Sequence, residues 1–222
     1  MRLILFLIFT SVLYMATLKA QKASHLVADS QSEVFGEEYF PLKEKSEFVF
    51  DSNIGSTKAA VYKEGSSMVF KYESGPITYN QSLSKAANGI YLTKVTSKAL
   101  LWGSSVTYNK PVLRLPLPLR IGNKWSWHGY EIDNGDTTAL SLYGFAQAVE
   151  TIKTKAGQFR CLKVMIKIIS GKGETSTEAE WLAPGIGIVR SMAKIDGGSG
   201  VTALIRRMMG LQEIKFSLSE IK

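Results

Sequence analysis

The sequence predicts a mainly all-β protein, and three observations support this prediction. From residue 39 onward, short runs of alternating apolar and polar residues are separated by glycine turns, a period of two that is typical of half-buried strands. No long helical pattern is present. Asp133-Asn134-Gly135-Asp136 is a strong hairpin signal, because Asn-Gly suits positive φ angles. We predict a single antiparallel meander that forms a curved sheet or open half-barrel, with little helix.

The strands are predicted in the order in which the alternating runs occur. They cover residues 47–51, 57–63, 68–72, 89–95, 99–108, 124–132, 137–154, 159–169, 174–182, 186–194, 201–208 and 211–218. Residues 81–87 are the one internal segment predicted to form a short helix. A bend is predicted at Gly144, within the long strand 137–154. Pro111, Pro116 and Pro118 lack amide donors, which indicates an edge strand or a crossover there.

The first twenty residues have the pattern of a secretory signal peptide. Arg2 precedes an apolar run that ends near a small residue, Ala20, and this run is shorter than the roughly 20 apolar residues of a membrane anchor. No cysteine lies near the predicted cut, so we expect no lipid anchor. The predicted organisation is therefore a signal peptide over 1–20, a flexible leader over 21–38 and a single β-rich domain over 39–222. We expect an exported protein, soluble in the periplasm or outside the cell.

Charge and cysteine content exclude several classes of protein. The chain carries a net charge of +8, but its basic residues are dispersed and form no stripe, which argues against a nucleic-acid partner. Lysines fall on both faces of short strands, which disfavours a membrane-spanning barrel. Cys161 is the only cysteine, so no disulfide forms within the chain, and its strand-like surroundings predict a buried thiol.

No catalytic or metal-binding constellation is visible. His128 and Cys161 have no partner nearby in the sequence, and two histidines with one cysteine do not supply a zinc or copper site. We therefore predict no catalytic residue, no metal and no cofactor. One pairing of carboxylates remains open: Glu178 or Glu180 with Glu131 is compatible with a glycosidase.

The four tryptophans allow two interpretations. Trp102, Trp125, Trp127 and Trp181 either pack in the core, to which aromatic side chains contribute large buried areas, or line a concave site for an apolar or sugar ligand. Core packing is the more common role of such residues. We nevertheless retain all four as candidate ligand-lining residues.

Four stretches taken in order resemble a known family. They are residues 39–42, residues 118–125, residues 151–164 (TIKTKAGQFRCLKV) and residues 181–190 (WLAPGIGIVR). Together they are similar to exported bacterial β proteins of unassigned function (TapB/DUF3108-like). That family looks distantly similar in fold to the LolA/LolB lipoprotein carriers, whose curved sheet surrounds acyl chains. The resemblance implies a fold and no catalytic residue, since fold alone does not fix function.

Three functions therefore remain open. The first is a non-enzymatic protein that binds a lipid or another apolar small molecule in its concave face. The second is an interaction protein of the cell envelope with a filled interior, whose partner is an envelope protein or a polysaccharide. The third is a carbohydrate-active enzyme. The half-barrel resemblance and the methionines at 165, 192, 208 and 209 favour the first.

Overall fold

The computed structural model of the chain describes residues 33–99, 102–196 and 212–222. Over these residues the backbone forms one short 3-10 helix, Glu37–Tyr39, and twelve strands. The strands are β1 (Glu47–Ser52), β2 (Thr57–Glu64), β3 (Ser67–Ser74), β4 (Ile77–Ala86), β5 (Gly89–Ala99), β6 (Trp102–Pro116), β7 (Lys124–Asp133), β8 (Asp136–Thr154), β9 (Gly157–Ser170), β10 (Thr175–Ala183), β11 (Gly187–Asp196) and β12 (Glu213–Ile221). The predicted signal peptide and the predicted strand 201–208 lie outside the described residues.

The twelve strands form a closed antiparallel barrel. Each strand pairs with the next one in the chain, and β1 pairs with β12, for example through Phe50 opposite Leu218. The prediction of a mainly antiparallel β meander is confirmed. The prediction that the sheet stays an open half-barrel is wrong, because pairing between the first and last strands leaves the meander without free outer edges.

The barrel is closed least extensively between β6 and β7. These strands pair only from Val106 opposite Asp133 to Tyr108 opposite Glu131. Beyond this point a side chain replaces the backbone pairing: the Asn109 amide oxygen accepts a hydrogen bond of 2.8 Å from the backbone N–H of Tyr130. The following half of β6 contains Pro111 and Pro116, whose missing N–H groups agree with the edge position predicted from the sequence.

One local prediction is wrong. Residues 81–87 form no helix, because residues 81–86 belong to β4, where Leu83 is fully buried opposite Met68 of β3 and Leu92 of β5. The register of β8 shifts between Ala146 and Ala148, and a bend at Gly144 stays a prediction. The predicted hairpin is present: Asn134 and Gly135 have φ angles of 51° and 90° between the paired Asp133 and Asp136.

The segment before β1 covers one end of the barrel. Phe35 is fully buried and exchanges two backbone hydrogen bonds of 2.9 Å with Leu119, in the β6–β7 loop. Tyr39 and Phe40 are buried as well, and the carbonyl of Glu38 accepts a 2.7 Å hydrogen bond from the N–H of Gly185, in the β10–β11 turn. Residues 33–42, hereafter the N-terminal plug, thus include the last part of the predicted leader.

Two tryptophan–glycine contacts lie in the interior beside the β6–β7 seam, the junction where these two strands pair over only three residues. Trp125 of β7 lies over Gly144, its register partner in β8, and Trp127 lies over Gly129 of its own strand. A side chain at either glycine would overlap the neighbouring indole ring, so each glycine makes room for a large apolar group. Most of the interior is filled by one continuous apolar core. The unfilled part lies toward the end opposite the N-terminal plug.

Candidate functional site

A cavity of about 160 Å³ lies inside the barrel. Its outer end is formed by Ile54 in the β1–β2 turn and by Ser74 and Ile77 on either side of the β3–β4 turn, which places it opposite the N-terminal plug. Apolar side chains dominate its wall, among them Phe50, Tyr72, Ile188, Ile214 and Phe216. For comparison, an apolar cavity of about 150 Å³ admits one benzene molecule.

The acidic wall of this cavity comes from β10. Residues two apart in a strand point to the same side of the sheet, so Glu178 and Glu180 both face the interior, and both line the cavity. Their register partners in β9 are Ile166 and Val164, which are buried and apolar. Two carboxyl groups are thereby held side by side in the barrel, although carboxylates are rarely buried without a partner.

Arg114 of β6 supplies one positive charge to this pair. Its guanidinium donates to the carboxylate of Glu180, and the two residues are only 5% and 1% exposed. The same guanidinium lies over the ring of Phe40, 5.6 Å from the ring centre, so Arg114 approaches from the plugged side of the barrel. Burial lowers the pKa of Arg114, whereas the negative charge of Glu180 raises it. The net result is a raised pKa. Arg114 therefore stays charged.

Glu178 has a weaker set of partners. Its carboxylate accepts a hydrogen bond of 3.1 Å from the hydroxyl of Ser191, in β11. Burial, together with the negative charge of Glu180, raises the pKa of Glu178 to about 7, although Arg114 and Ser191 oppose this shift. Near neutral pH Glu178 therefore exchanges a proton, and in its protonated form it donates a hydrogen bond to Glu180.

Two tyrosines add further polar groups to the wall. Tyr72 of β3 and Tyr79 of β4 lie with ring centres 6.0 Å apart, and the hydroxyl of Tyr79 accepts a 2.9 Å hydrogen bond from the amide of Gln81. Burial raises the pKa of Tyr79 to about 12 and raises that of Tyr72 well above its ordinary value; the carboxylates of Glu178 and Glu180 act in the same direction. Both phenols are therefore neutral at physiological pH.

Three of the four predicted ligand-lining tryptophans lie outside the cavity wall. Trp125 and Trp127 pack inside the barrel near the β6–β7 seam, where their indole N–H groups have no hydrogen-bond partner among the described residues. Trp181 donates a 2.7 Å hydrogen bond to Glu150 and is flanked by Lys163 and Arg190. The side chain of Trp102 lies outside the described residues. Ligand lining by these four residues stays a prediction.

The other candidate groups are separated from the cavity and from one another. The Nδ1 atom of His128 lies 3.0 Å from the hydroxyl of Ser141, and both atoms are exposed. Cys161 is fully buried, and burial raises the pKa of its thiol to about 11. Glu131 lies in β7, on the seam next to Tyr108. Within the described ranges, no group of three or more His, Cys, Asp or Glu residues is arranged to hold a metal ion.

The sequence signal for the site was incomplete. Glu178 and Glu180 were considered only as possible partners of Glu131, and no motif linked them to Arg114, which lies 66 residues earlier than Glu180. Tyr72 and Tyr79 occur in ordinary alternating strands. The one available signal was a charged residue, Arg114, within an otherwise apolar run between Val112 and Pro116.

These features define a class of protein, a closed twelve-stranded antiparallel barrel with a small, mostly apolar cavity and a buried charged cluster at its wall. Residues 146–194 match the model of a family described as DUF3108-like. The match covers most of β8 to β11, including the segments 151–164 and 181–190 that carried the sequence resemblance, and that resemblance is confirmed. No functionally curated protein matches the chain.

Three crystal structures are similar to the chain. The hypothetical lipoprotein YmcC of Escherichia coli has 13% identity and a TM-score of 0.45, over 90% of this chain and 94% of that one. A Bacteroides fragilis protein with a YmcC-like fold has 18% identity and a TM-score of 0.41, over 86% and 100%. A provisionally named lipoprotein of Parabacteroides distasonis has 14% identity and a TM-score of 0.40, over 83% and 98%. Likenesses at these scores assign neither a ligand nor an activity.

Among the described residues, no helix combines the length and the apolar character required to cross a membrane.

Proposed function

We propose that this chain is an exported, non-enzymatic β-barrel protein that binds a small apolar ligand in the cavity between β3, β4 and β10–β12. The observation that supports this proposal is an unfilled volume of about 160 Å³ in an interior that is otherwise densely packed. Protein interiors normally leave few voids larger than a water molecule. A retained cavity with aromatic walls and a few polar groups is the usual form of a ligand site.

The size of the cavity limits the ligand. Sites for drug-sized molecules usually begin at about 300 Å³, so this cavity suits a single ring or a short aliphatic chain. A whole lipid does not fit, and a lipid would enter only with the end of one acyl chain. The closed barrel therefore favours a smaller ligand than the open half-barrel of the LolA/LolB carriers implied.

The placement of the reactive groups supports a binding role over catalysis. Glu131 lies in β7 opposite Tyr108 and does not line the cavity, which disfavours its pairing with Glu178 or Glu180 across a bound sugar as in a glycosidase. The raised pKa of Cys161 disfavours a thiolate. The His128–Ser141 contact is exposed, and neither residue lines the cavity.

Export rests on the pattern of the first twenty residues. The small residue at Ala20 fits signal peptidase, so we expect the mature chain to begin at Gln21. N-terminal sequencing of the protein from its host checks this, and a chain that still begins at Met1 contradicts export by this route.

Native mass spectrometry of the protein from its own host tests ligand binding. We expect an adduct of low mass that organic solvent releases. Ala193→Phe should abolish it, because Ala193 lines the cavity and a phenyl ring there fills the space. Ala86→Phe is the matched control, since Ala86 is exposed at the end of β4. A clean apo mass, with no rise in Tm on adding toluene, would favour an envelope interaction protein instead.

A further inference from the structure

The charges around the cavity do not balance when both of its carboxyl groups are ionised. Glu178 and Glu180 contribute two negative charges, and Arg114 contributes one positive charge. Among the described residues, those that line the cavity include no lysine, arginine or histidine. The cluster therefore lacks one positive charge, and burying an uncompensated charge is costly.

An unpartnered acceptor marks the position of the missing charge. The second carboxylate oxygen of Glu180, Oε2, is buried and has no hydrogen-bond donor among the described residues. Glu180 is 1% exposed and lines the cavity. When Glu178 is ionised it cannot donate to Glu180, so a buried acceptor is left unsatisfied, which costs about 1–3 kcal/mol.

Arg114 cannot compensate from inside the cavity. Its guanidinium is not part of the cavity wall and lies on the other side of Glu180, against Phe40. Its Nη1 also lacks a partner among the described residues, but Arg114 is not one of the residues that line the cavity. The surface that a ligand meets therefore combines two carboxyl groups and aromatic rings with uncharged polar side chains, among them Tyr79 and Gln81. Such rings attract cations through their faces.

We infer that the cavity binds a small apolar amine, whose ammonium group contacts the carboxylates of Glu178 and Glu180 and whose hydrocarbon part packs against Phe50, Tyr72 and Phe216. This inference rests on the proposed function and adds the charge of the ligand to it. The ammonium group supplies the missing positive charge and donates to the unsatisfied oxygen of Glu180. An ammonium group carries three donors and no acceptor, which suits a wall of carboxylates.

Binding of the amine is then linked to loss of the proton from Glu178. The groups that face Glu178 are Glu180 on its own strand, Arg114 from β6, Tyr72 from β3, Tyr79 from β4 and Ser191 from β11. The tyrosines and Arg114 do not change charge near neutral pH. Ammonium binding and protonation of Glu178 therefore compete, and acidic pH weakens binding.

Isothermal titration of the mature protein with three probes of similar shape tests this inference. Benzylamine is the cation, benzyl alcohol the neutral probe and benzoate the anion. At pH 8 we expect benzylamine to bind at least about tenfold more tightly than benzyl alcohol. Between pH 8 and pH 5.5 benzylamine should weaken by about thirtyfold, because Glu178 has a pKa of about 7, whereas benzyl alcohol should not change.

Variants separate the charge from the cavity. Glu178→Gln keeps the size of the side chain and its acceptor for Ser191, and it should lose both the preference for benzylamine over benzyl alcohol and the pH dependence. Glu64→Gln, at an exposed strand end, should behave as the unmodified protein. Ala193→Phe should bind none of the probes.

The outcomes distinguish the two proposals. If benzyl alcohol binds as tightly as benzylamine at pH 8, with no pH dependence, the inference of a cationic ligand is wrong and the proposed apolar site stands. Preferred binding of benzoate also overturns the inference and indicates Arg114 as the recognition group. If no probe binds the unmodified protein, the proposed function fails with it.

Discussion

The guanidinium of Arg114, in β6, donates a hydrogen bond to the carboxylate of Glu180, in β10, across the interior of the barrel. Neither strand pairs with the other, so this contact links opposite parts of the wall through the core. The pair separates the cavity from the N-terminal plug, since Glu180 lines the cavity and Arg114 lies against Phe40. It therefore contributes both to the fold and to the charge of the site.

Removal of one member of this pair should destabilise the barrel strongly. Arg114→Met leaves the Glu180 carboxylate buried without its partner, which costs about 3–5 kcal/mol in buried pairs. Urea unfolding measures this free energy. The double variant Arg114→Met, Glu180→Leu should recover much of the loss, because neither charge remains.

Lys155→Met is a control, since the Lys155–Asp51 pair (2.8 Å) is exposed and should contribute less than about 1 kcal/mol. A loss for Arg114→Met as small as that of the control contradicts the role of the pair.

The contact between Trp125 and Gly144 predicts a second effect. Gly144→Ala places a Cβ within the indole ring of Trp125, and such overpacking typically costs about 1–3 kcal/mol. In a Trp125→Ala background the same change should cost less than about 1 kcal/mol, because the ring is gone. Thermal unfolding of the four proteins gives this coupling free energy. Equal costs in the two backgrounds would show that the contact is not responsible.

The sequence predicted the strands because their alternation is local information. It also predicted the hairpin at Asn134 and Gly135, whose positive φ angles depend on those two residues. Closure of the barrel depends on pairing between β1 and β12, which are more than 160 residues apart in the sequence. No local sequence pattern predicts this pairing. The sequence also misassigned residues 81–87, because Leu83 is the only apolar residue from Gln81 to Lys85 and a period of two is not visible there.

The candidate site was less predictable than the fold for a related reason. The tryptophans were the most visible aromatic residues, yet the described cavity is lined by Phe50, Tyr72, Tyr79 and Phe216. These four come from β1, β3, β4 and β12, which become neighbours only when the barrel closes. Glu178 and Glu180 of β10 were named only as carboxylates compatible with a pairing to Glu131. Their partner Arg114 was missed, because tertiary structure alone brings β6 opposite β10.

The raised pKa of Glu178 predicts a pH-dependent stability. The folded state binds the proton more tightly than the unfolded state, whose pKa is near 4.5, so the contribution of this group is fully present below pH 4.5 and is lost as the pH rises through about 7. Glu178→Gln should therefore match the unmodified protein at pH 4.5. At pH 8 it should be more stable by about 1–2 kcal/mol, a value reduced because Glu178 is partly exposed at the cavity.

Urea unfolding between pH 4.5 and pH 8 measures this difference. Glu64→Gln is the matched control, because Glu64 is exposed, and its stability should follow that of the unmodified protein across the range. A Glu178→Gln variant that is less stable than the unmodified protein at pH 8 would show that the ionised carboxylate is stabilising, contrary to the direction predicted here.

The contribution of the N-terminal plug to stability can be tested at two adjacent residues. Phe35 is 0% exposed and sits on the barrel end through its paired backbone hydrogen bonds with Leu119, whereas Val34 is 45% exposed. The neighbouring Glu33 accepts from Arg160, and one of these bonds measures 2.6 Å. Phe35→Ala removes a ring from the core and should cost about 3–5 kcal/mol in urea unfolding, while Val34→Ala should change stability by less than about 0.5 kcal/mol. If the plug packs against the barrel in solution, only the first variant should also expose residues 33–42 to limited proteolysis. Similar stabilities for the two variants would mean that the segment before β1 contributes little to the folded barrel.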